Sequence, residues 1–251
     1  MLDSEKVETY RKDGFVVIGP EEWLAPDEFS HIRAEVERIQ YLGESRDKWM
    51  VYLDQLSSGD LRLNRIENFL PWSELLSNLF SSNRLGAAAS QLLGEPAIVF
   101  KDKINFKQPG GDGFLPHQDA QAGWDEFGHS THLSVAVAID KCTAENGALE
   151  FVPGRHLEGL LGPVGSELPA DFVDDSNWQL IEANPGSVIF FDSYAPHRSA
   201  PNHSDSQRRL VYITYCLERE GDFRLDYFDR KRLSYPPNIL RKPGIDYAYK
   251  I

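Results

Sequence analysis

Three residues of this 251-residue chain have the chemistry and spacing to share one metal ion: His117 and Asp119 in the tripeptide HQD, and His197 in DSYAPHRS. Side chains alternate along an extended backbone, so residues two apart face the same way. An imidazole and a carboxylate on one face offer two adjacent ligands. His197 directly follows the strand-like stretch SVIFFD and supplies a third from a distant part of the chain. Two imidazoles and one carboxylate on one side of an iron(II) ion leave three positions open, the donor set of non-haem iron oxygenases. An HxD pair alone is a weak signal. His31, His129, His132, His156 and His203 read as surface or satisfied core residues, with His132 the strongest rival ligand because it falls in a strand beside the proposed site.

An oxygenase of this kind that consumes 2-oxoglutarate needs a fixed cation for the far carboxylate of that co-substrate. Arginine suits the task, since its planar fork pairs with a carboxylate through two hydrogen bonds and stays charged. Arg208 opens the stretch RLVYITYCL shortly after His197, and a strand returning beside the ligand strand would aim it into the same cavity. Ser199 offers a hydroxyl nearby, and Arg209 points the other way. In AIVFKDKINFK, Ile98, Phe100, Ile104 and Phe106 fall on one face and Lys101, Lys103, Asn105 and Lys107 on the other. The polar face either lines the cavity, through Lys103 and Asn105, or meets water. Trp124, in the loop AQAGWDEFGHS, fences in substrate or anchors the loop at the surface; Arg198 faces a negative substrate group or the surface.

These residues need rigid elements to position them. Phe29, Ile32, Val36 and Ile39 recur at helical spacing, with Pro26, Asp27 and Glu28 suited to a first turn; SSNRLGAAASQLLGE predicts a second helix with serine at its start and Gly94 as its stop. GFVVI reads as a strand. Beyond Gly94 the segments AIVFKDKINFK, HLSVAVAID, ALEFV, SVIFFD and RLVYITYCL are short, β-branched and aromatic, separated by PGGDG, ENG, PGR and NPG turns. Strands without alternating helices predict an antiparallel sandwich or barrel, so the fold class is α+β, mainly β: a double-sheet core buttressed by N-terminal helices. The chain divides into residues 1–95 as mostly helical support, 96–220 as the β-core and 221–251 as a wrapping tail or lid, all in one domain.

The composition is that of an ordinary globular chain, 41% apolar and 26% charged. Its 26 Lys and Arg against 39 Asp and Glu give a net charge of −13, which argues against gripping nucleic acid or an anionic membrane and leaves a small molecule as the expected partner. Two cysteines form no disulfide framework, the polar N-terminus lacks a signal-like apolar stretch, and no run approaches membrane-spanning length, so a cytoplasmic protein is expected. The oligomeric state is not legible.

Taken together, DGFVVI, KINFKQPGGDGFLPHQD, AIDKCTAENGALEFVPGRH, PGSVIFFD with PHRSAPN, and Arg208 resemble the phytanoyl-CoA dioxygenase-like branch of the Fe(II)/2-oxoglutarate oxygenases, over about residues 8–235. The resemblance implies a double-stranded β-helix, the jelly-roll or cupin-like core, using Fe(II), 2-oxoglutarate and O2 and releasing succinate and CO2. It implies His117, Asp119 and His197 as catalytic iron ligands, Arg208 and Ser199 at the distal carboxylate of 2-oxoglutarate, and Gln118 and Lys103 as further co-substrate contacts. Ala136 stands where a characterised relative carries a tryptophan. The substrates implied are small amino-acid-like or phosphonate compounds first, secondary-metabolite scaffolds next and acyl-CoA third. Two alternatives stand beside this reading: a cupin-type metal enzyme that does not use 2-oxoglutarate, and a non-catalytic jelly-roll binding protein.

Overall fold

Strands rich in β-branched and aromatic residues, the central ones buried on both faces, build two antiparallel sheets. A computed structural model describes the chain except for residues 26, 56–58, 60, 82–83, 129–130 and 248–251, so the expectations for Pro26, Ser82, His129 and Ser130 lie outside the described residues. In order, the elements are α1 (Ser4–Asp13), β1 (Phe15–Ile18), α2 (Glu28–Gln40), β2 (Met50–Gln55), β3 (Leu61–Glu67), α3 (Glu74–Ser81), α4 (Leu85–Leu93) and β4 (Ala97–Lys107). There follow β5 (Phe114–His117), β6 (Leu133–Ala138), β7 (Leu149–Phe151), α5 (Ala170–Asp175), β8 (Gln179–Ile181), β9 (Val188–Asp192), β10 (His197–Ser199), β11 (Arg208–Leu217) and α6 (Arg224–Ser234).

The wide sheet runs β1-β9-β6-β11-β4-β3-β2 and the narrow one β5-β10-β7-β8. In β6, Val135 and Val137 turn outward onto the helices while Ala136 and Ala138 turn inward between the sheets. On the helical side, α2 contributes buried Ile32, Val36 and Ile39, one stripe of a helix, to the same cluster as Ile104 and Phe106 of β4. α4 ends as expected at Gly94, whose φ of 80° is the left-handed cap conformation, but its N-cap position is Arg84 and not a serine.

Two differences from the sequence reading shape the site. The first 95 residues are not only helical support: the hairpin β2–β3 joins the edge of the wide sheet, with Arg65 opposite Asn105 and Glu67 opposite Lys103. The second lies in β4. Its register against β11 pairs Thr214 with Lys101 but Tyr215 with Val99, so Phe100 is the extra residue of a β-bulge. Downstream of it the expected alternation holds. Upstream the phase is reversed: Val99 packs toward the helices, while Ile98 and Phe100 join an inner cluster with Trp124, Phe127, Tyr227 and Phe228.

The C-terminal tract forms α6, which is bound to the sheet by charge as well as by apolar packing. Arg224 pairs with fully buried Asp102, whose carboxylate also accepts hydrogen bonds from the backbone of Phe69 at 2.7 Å and Leu70 at 3.3 Å. Burial pushes the Asp102 carboxyl upward, against the pull of Arg224. Removing one partner of a buried ion pair strands the other, so Arg224→Ala should cost about 3–5 kcal/mol of stability in urea unfolding at neutral pH. The loss should shrink as pH falls through the raised pKa of the stranded carboxyl, because protonation then removes the buried charge.

Candidate active site

β5 and β10 are neighbours in the narrow sheet, and their register sets His117 directly opposite His197. The ring centroids are 4.2 Å apart. Gln118 keeps an extended backbone (φ −112°, ψ 135°), so Asp119, at the start of a single 3-10 turn, returns to the side of His117. One ligand atom from each of His117, Asp119 and His197 lies within 4.8 Å of the others, and all three residues are buried.

The hydrogen bonds orient the donors. His117 Nδ1 lies 2.6 Å from the carbonyl of Leu115 and His197 Nδ1 lies 3.0 Å from that of Ala195. Each carbonyl holds a proton on Nδ1 and leaves Nε2 with its lone pair toward the centre. Burial, then His197, lowers the His117 pKa to about 3, and burial lowers that of His197, so both rings are neutral and fit to ligate at neutral pH. Burial alone would raise the Asp119 pKa, but His197, Lys103 and Lys101 hold the carboxyl below its usual range. Its Oδ2 accepts from Ser134 Oγ at 2.9 Å, and Ser134 shares a 3.2 Å hydrogen bond with Thr214. Two imidazoles and an anionic oxygen converging from one side fit a divalent iron with open positions.

His132, the rival ligand, is outside this cluster. It is buried against Phe100, with ring centroids 4.8 Å apart, and burial followed by Lys101 lowers its pKa to about 4. His31 and His203 are exposed and His156 is half-buried.

Arg208 is 1% exposed, donates to the carbonyl of Gly147 at 3.0 Å, and has Nε and Nη1 buried without a hydrogen-bond partner among the described residues. Orphaned guanidinium hydrogens in a buried pocket fit an incoming carboxylate. Arg208 reaches this pocket by a different route from the one expected. β10 and β11 are not neighbours but lie in opposite sheets, and Ser199 and Arg208 approach across the gap between them. Lys107, opposite Arg208 in the wide sheet, donates to Ser199 Oγ at 2.8 Å. Burial, then Arg208, lowers the Lys107 pKa to about 7. Gly147 sits at φ 71°, and a Cβ there would come within 2.1 Å of the Ala200 carbonyl, which explains the glycine of the ENG turn.

The remaining site residues divide. Lys103 lies 4.7 Å above the ring of Tyr212 and, with Lys101, Arg65, His117 and Asp119, lines a cavity of about 320 Å³. Asn105 is buried and lines an adjoining cavity of about 210 Å³ with Lys107 and Phe114. Gln118 has both amide hydrogens engaged, with the carbonyls of Gly159 and Tyr194, each at 2.7 Å, and its oxygen accepts from Leu161. That side chain ties the 159–161 loop to the ligand strand and has no donor left for a co-substrate. Arg198 is turned to the outer side of the narrow sheet, on Glu150 at 2.9 Å and over the Trp178 ring, because it alternates with inward-facing His197 and Ser199. Trp124 is neither at the surface nor among the cavity-lining residues; it is 1% exposed and packs against Phe100. Ser134 and Tyr212 carried no signal in the sequence, since only strand register sets them beside Asp119 and Lys103. A larger cleft of about 440 Å³, between α1 and the helical side of the wide sheet, lies away from these groups.

The sequence profile described as Phytanoyl-CoA dioxygenase (PhyH) matches residues 10–210. The chain belongs to the phytanoyl-CoA dioxygenase family. It is therefore a non-haem Fe(II)/2-oxoglutarate-dependent oxygenase, and the two alternatives from the sequence, a cupin-type enzyme without 2-oxoglutarate and a non-catalytic module, fall away. Among its relatives, a methylphosphonate hydroxylase of Gimesia maris is 36% identical over 235 residues, 93% of this chain and 88% of that one. A 2-aminoethylphosphonate dioxygenase from the uncultured bacterium HF130_AEPn_1 is 36% identical over 252 residues, 97% of this chain and 93% of that one. Among solved structures, EctD from S. alaskensis with 2-oxoglutarate and 5-hydroxyectoine matches with a TM-score of 0.75 and 20% identity, covering 87% of this chain and 77% of the other, a likeness of fold. The jelly-roll architecture of this family accounts for the paired sheets described above.

Partners that hydrogen-bond a metal-ligating carboxylate typically contribute 10–100-fold to metal affinity or activity. Ser134→Ala should therefore weaken Fe(II) binding by roughly tenfold, measured by anaerobic titration, with little change in thermal midpoint; unchanged affinity would remove Ser134 from that role.

Proposed function

We propose that this enzyme hydroxylates a C–H bond of a small phosphonate or a similarly anionic, amino-acid-like metabolite, with His117, Asp119 and His197 as the iron ligands. One observation carries the substrate class: Lys101 and Lys103 line the 320 Å³ cavity beside His117 and Asp119, where Arg65 is held by Glu67 and Asp54 and Glu167 are the other charged lining residues. Two lysines on the wall next to the metal ligands offer ammonium groups to a negative group of the substrate. The volume suits a small metabolite. The names of the two 36%-identical relatives support the same class.

In this reading Arg208, with Ser199 and Lys107, receives the distal carboxylate of 2-oxoglutarate, and Lys103 lies along the path from that pocket to Asp119. Iron(II), when bound, supplies the dioxygen chemistry that couples oxidative decarboxylation of 2-oxoglutarate to C–H oxidation. The balance is one C–H, O2 and 2-oxoglutarate to one C–OH, succinate and CO2. The protein's part is to hold neutral imidazoles and an anionic Asp119 in place, fix two anions by their charged ends, and exclude water between the sheets. All of this takes place within one domain. Two separate buried thiols, Cys142 and Cys216, support a cytoplasmic setting.

The direct test supplies Fe(II), 2-oxoglutarate and either methylphosphonate or 2-aminoethylphosphonate, following succinate and the phosphorus NMR spectrum. Succinate formed in step with a hydroxylated phosphonate is expected; the same succinate with and without either compound would reject this substrate class.

A second expectation concerns the co-substrate. Arg208→Met should raise the 2-oxoglutarate Kd by roughly 10–100-fold, the weight of a charge-assisted hydrogen-bond pair. Lys107, whose pKa is held near 7, must carry its proton to help bind a carboxylate. Affinity for 2-oxoglutarate should therefore fall as pH rises from about 7 toward 9. Lys107→Met should bind more weakly at pH 7 and lose that slope, which calorimetry across the range would show.

A further inference from the structure

Lys101 is the most deeply buried of the cavity's lysines, and its position is a consequence of the β4 bulge. Because the register skips Phe100, residues 100 and 101 both reach the inner region, where a regular strand would present only one of them. Lys101 Nζ lies 3.9 Å over the ring of Trp124 and 3.5 Å from Tyr227 Oη, the latter at the outer limit of a hydrogen bond. An ammonium has three hydrogens to place.

The nearby carboxylates have other obligations. Glu67 is held by Lys231 at 2.8 Å and by Arg65 at 2.8 Å. Burial alone would raise the Glu67 pKa, yet Lys231, Arg65 and then Lys101 bring it down to about 2, with Lys231 and Arg65 its ion-pair partners. Asp119 is turned to the metal centre. Lys103 and Lys231 repel the Lys101 charge, and burial, ahead of both, pushes its pKa well below the ordinary lysine value. A second buried donor nearby is also unused: Trp124 Nε1 has no hydrogen-bond partner among the described residues. Buried polar groups are ordinarily satisfied, and a buried ammonium in the cavity wall with one long hydrogen bond marks where a ligand's acceptors go.

We infer that Lys101, delivered by the bulge at Phe100 and supported by the Trp124 ring, is the anchor for the substrate's anionic headgroup, a phosphonate. This deepens the function proposed above and rests on it. It also separates two duties that the run of lysines on β4 had left entangled. Lys107 serves the pocket of Arg208, Lys101 serves the substrate, and Lys103 lies between them on the same strand face. A phosphonate bound at Lys101 shares its cavity with His117 and Asp119, two of the metal ligands.

The test is anaerobic calorimetry of the Fe(II)- and 2-oxoglutarate-loaded enzyme with methylphosphonate and with acetate as probes. Wild type should bind methylphosphonate more tightly than acetate, and Lys101→Met, which keeps the stem on Trp124, should lose at least roughly 30-fold in methylphosphonate affinity, in line with removal of a charged hydrogen bond. Lys101→Arg should recover most of the loss. Iron content and 2-oxoglutarate affinity of both variants report whether the fold and the co-substrate pocket are intact. Turnover of a phosphonate by wild type with unchanged affinity in Lys101→Met would overturn this assignment and leave the proposed function standing. Lys101-dependent binding of methylphosphonate without turnover of any phosphonate would overturn the function and leave the anion site standing. No binding of methylphosphonate to wild type would overturn both.

Discussion

Three ligands must converge on one point from segments about eighty residues apart, and a single cross-strand pair accomplishes it. His117 and His197 face each other on β5 and β10, and the extended Gln118 brings Asp119 to the same side. Everything else about the site follows from keeping that pair in register. The narrow sheet holds it from behind through β7, where Phe151 lies opposite His197. The Gln118 amide pins the adjoining loop, and the carbonyls of Leu115 and Ala195 fix each ring's rotation and tautomer. The pair is rigid because its orienting contacts are backbone, which cannot change rotamer.

The wide sheet faces this centre with an inner surface that a typical β-sandwich would fill with aliphatic side chains. At one end it does so, with Ala136, Ala138, Ile189 and Leu210. At the other end β3, β4 and β11 present Arg65, Glu67, Lys101, Lys103, Asn105, Lys107 and Arg208. Burying so many charges is costly unless each finds a counter-charge. Some do: Glu67 is paired with Arg65 and with Lys231 of α6. Arg208 keeps orphaned hydrogens, and Lys101 has one long hydrogen bond. The protein thus holds cationic sites that anions complete, the arrangement expected where binding and not folding is the purpose of the charge. The apolar outer face, packed on α2 and α4, offsets the cost.

α6 packs against β4 beside Lys101. Its Tyr227 touches Lys101, its Lys231 holds Glu67, and its Arg224 neutralises Asp102. The same helix therefore contributes to stability and to the electrostatics of the cavity wall, so changes to it should not be read as purely structural.

Local chemistry was legible in the sequence wherever a pattern is set by near neighbours. The spacing in HQD, the strand borders of AIVFKDKINFK, the inward valence of Arg208 and the stripe of α2 all depend on backbone periodicity, and all are present in the structure. What the tertiary structure decided was pairing and phase. The hairpin β2–β3 carries few strand signals of its own and is held by its place at a sheet edge. The bulge at Phe100 reverses the faces of Ile98 and Phe100, and no alternation rule anticipates an inserted residue. Trp124, Gln118 and Arg198 have side chains equally at home lining a cavity, filling a core or tethering a loop. Which of these each does depends on what lies across the gap, and that is a property of long-range register, where a one-residue slip sends a side chain to the opposite face.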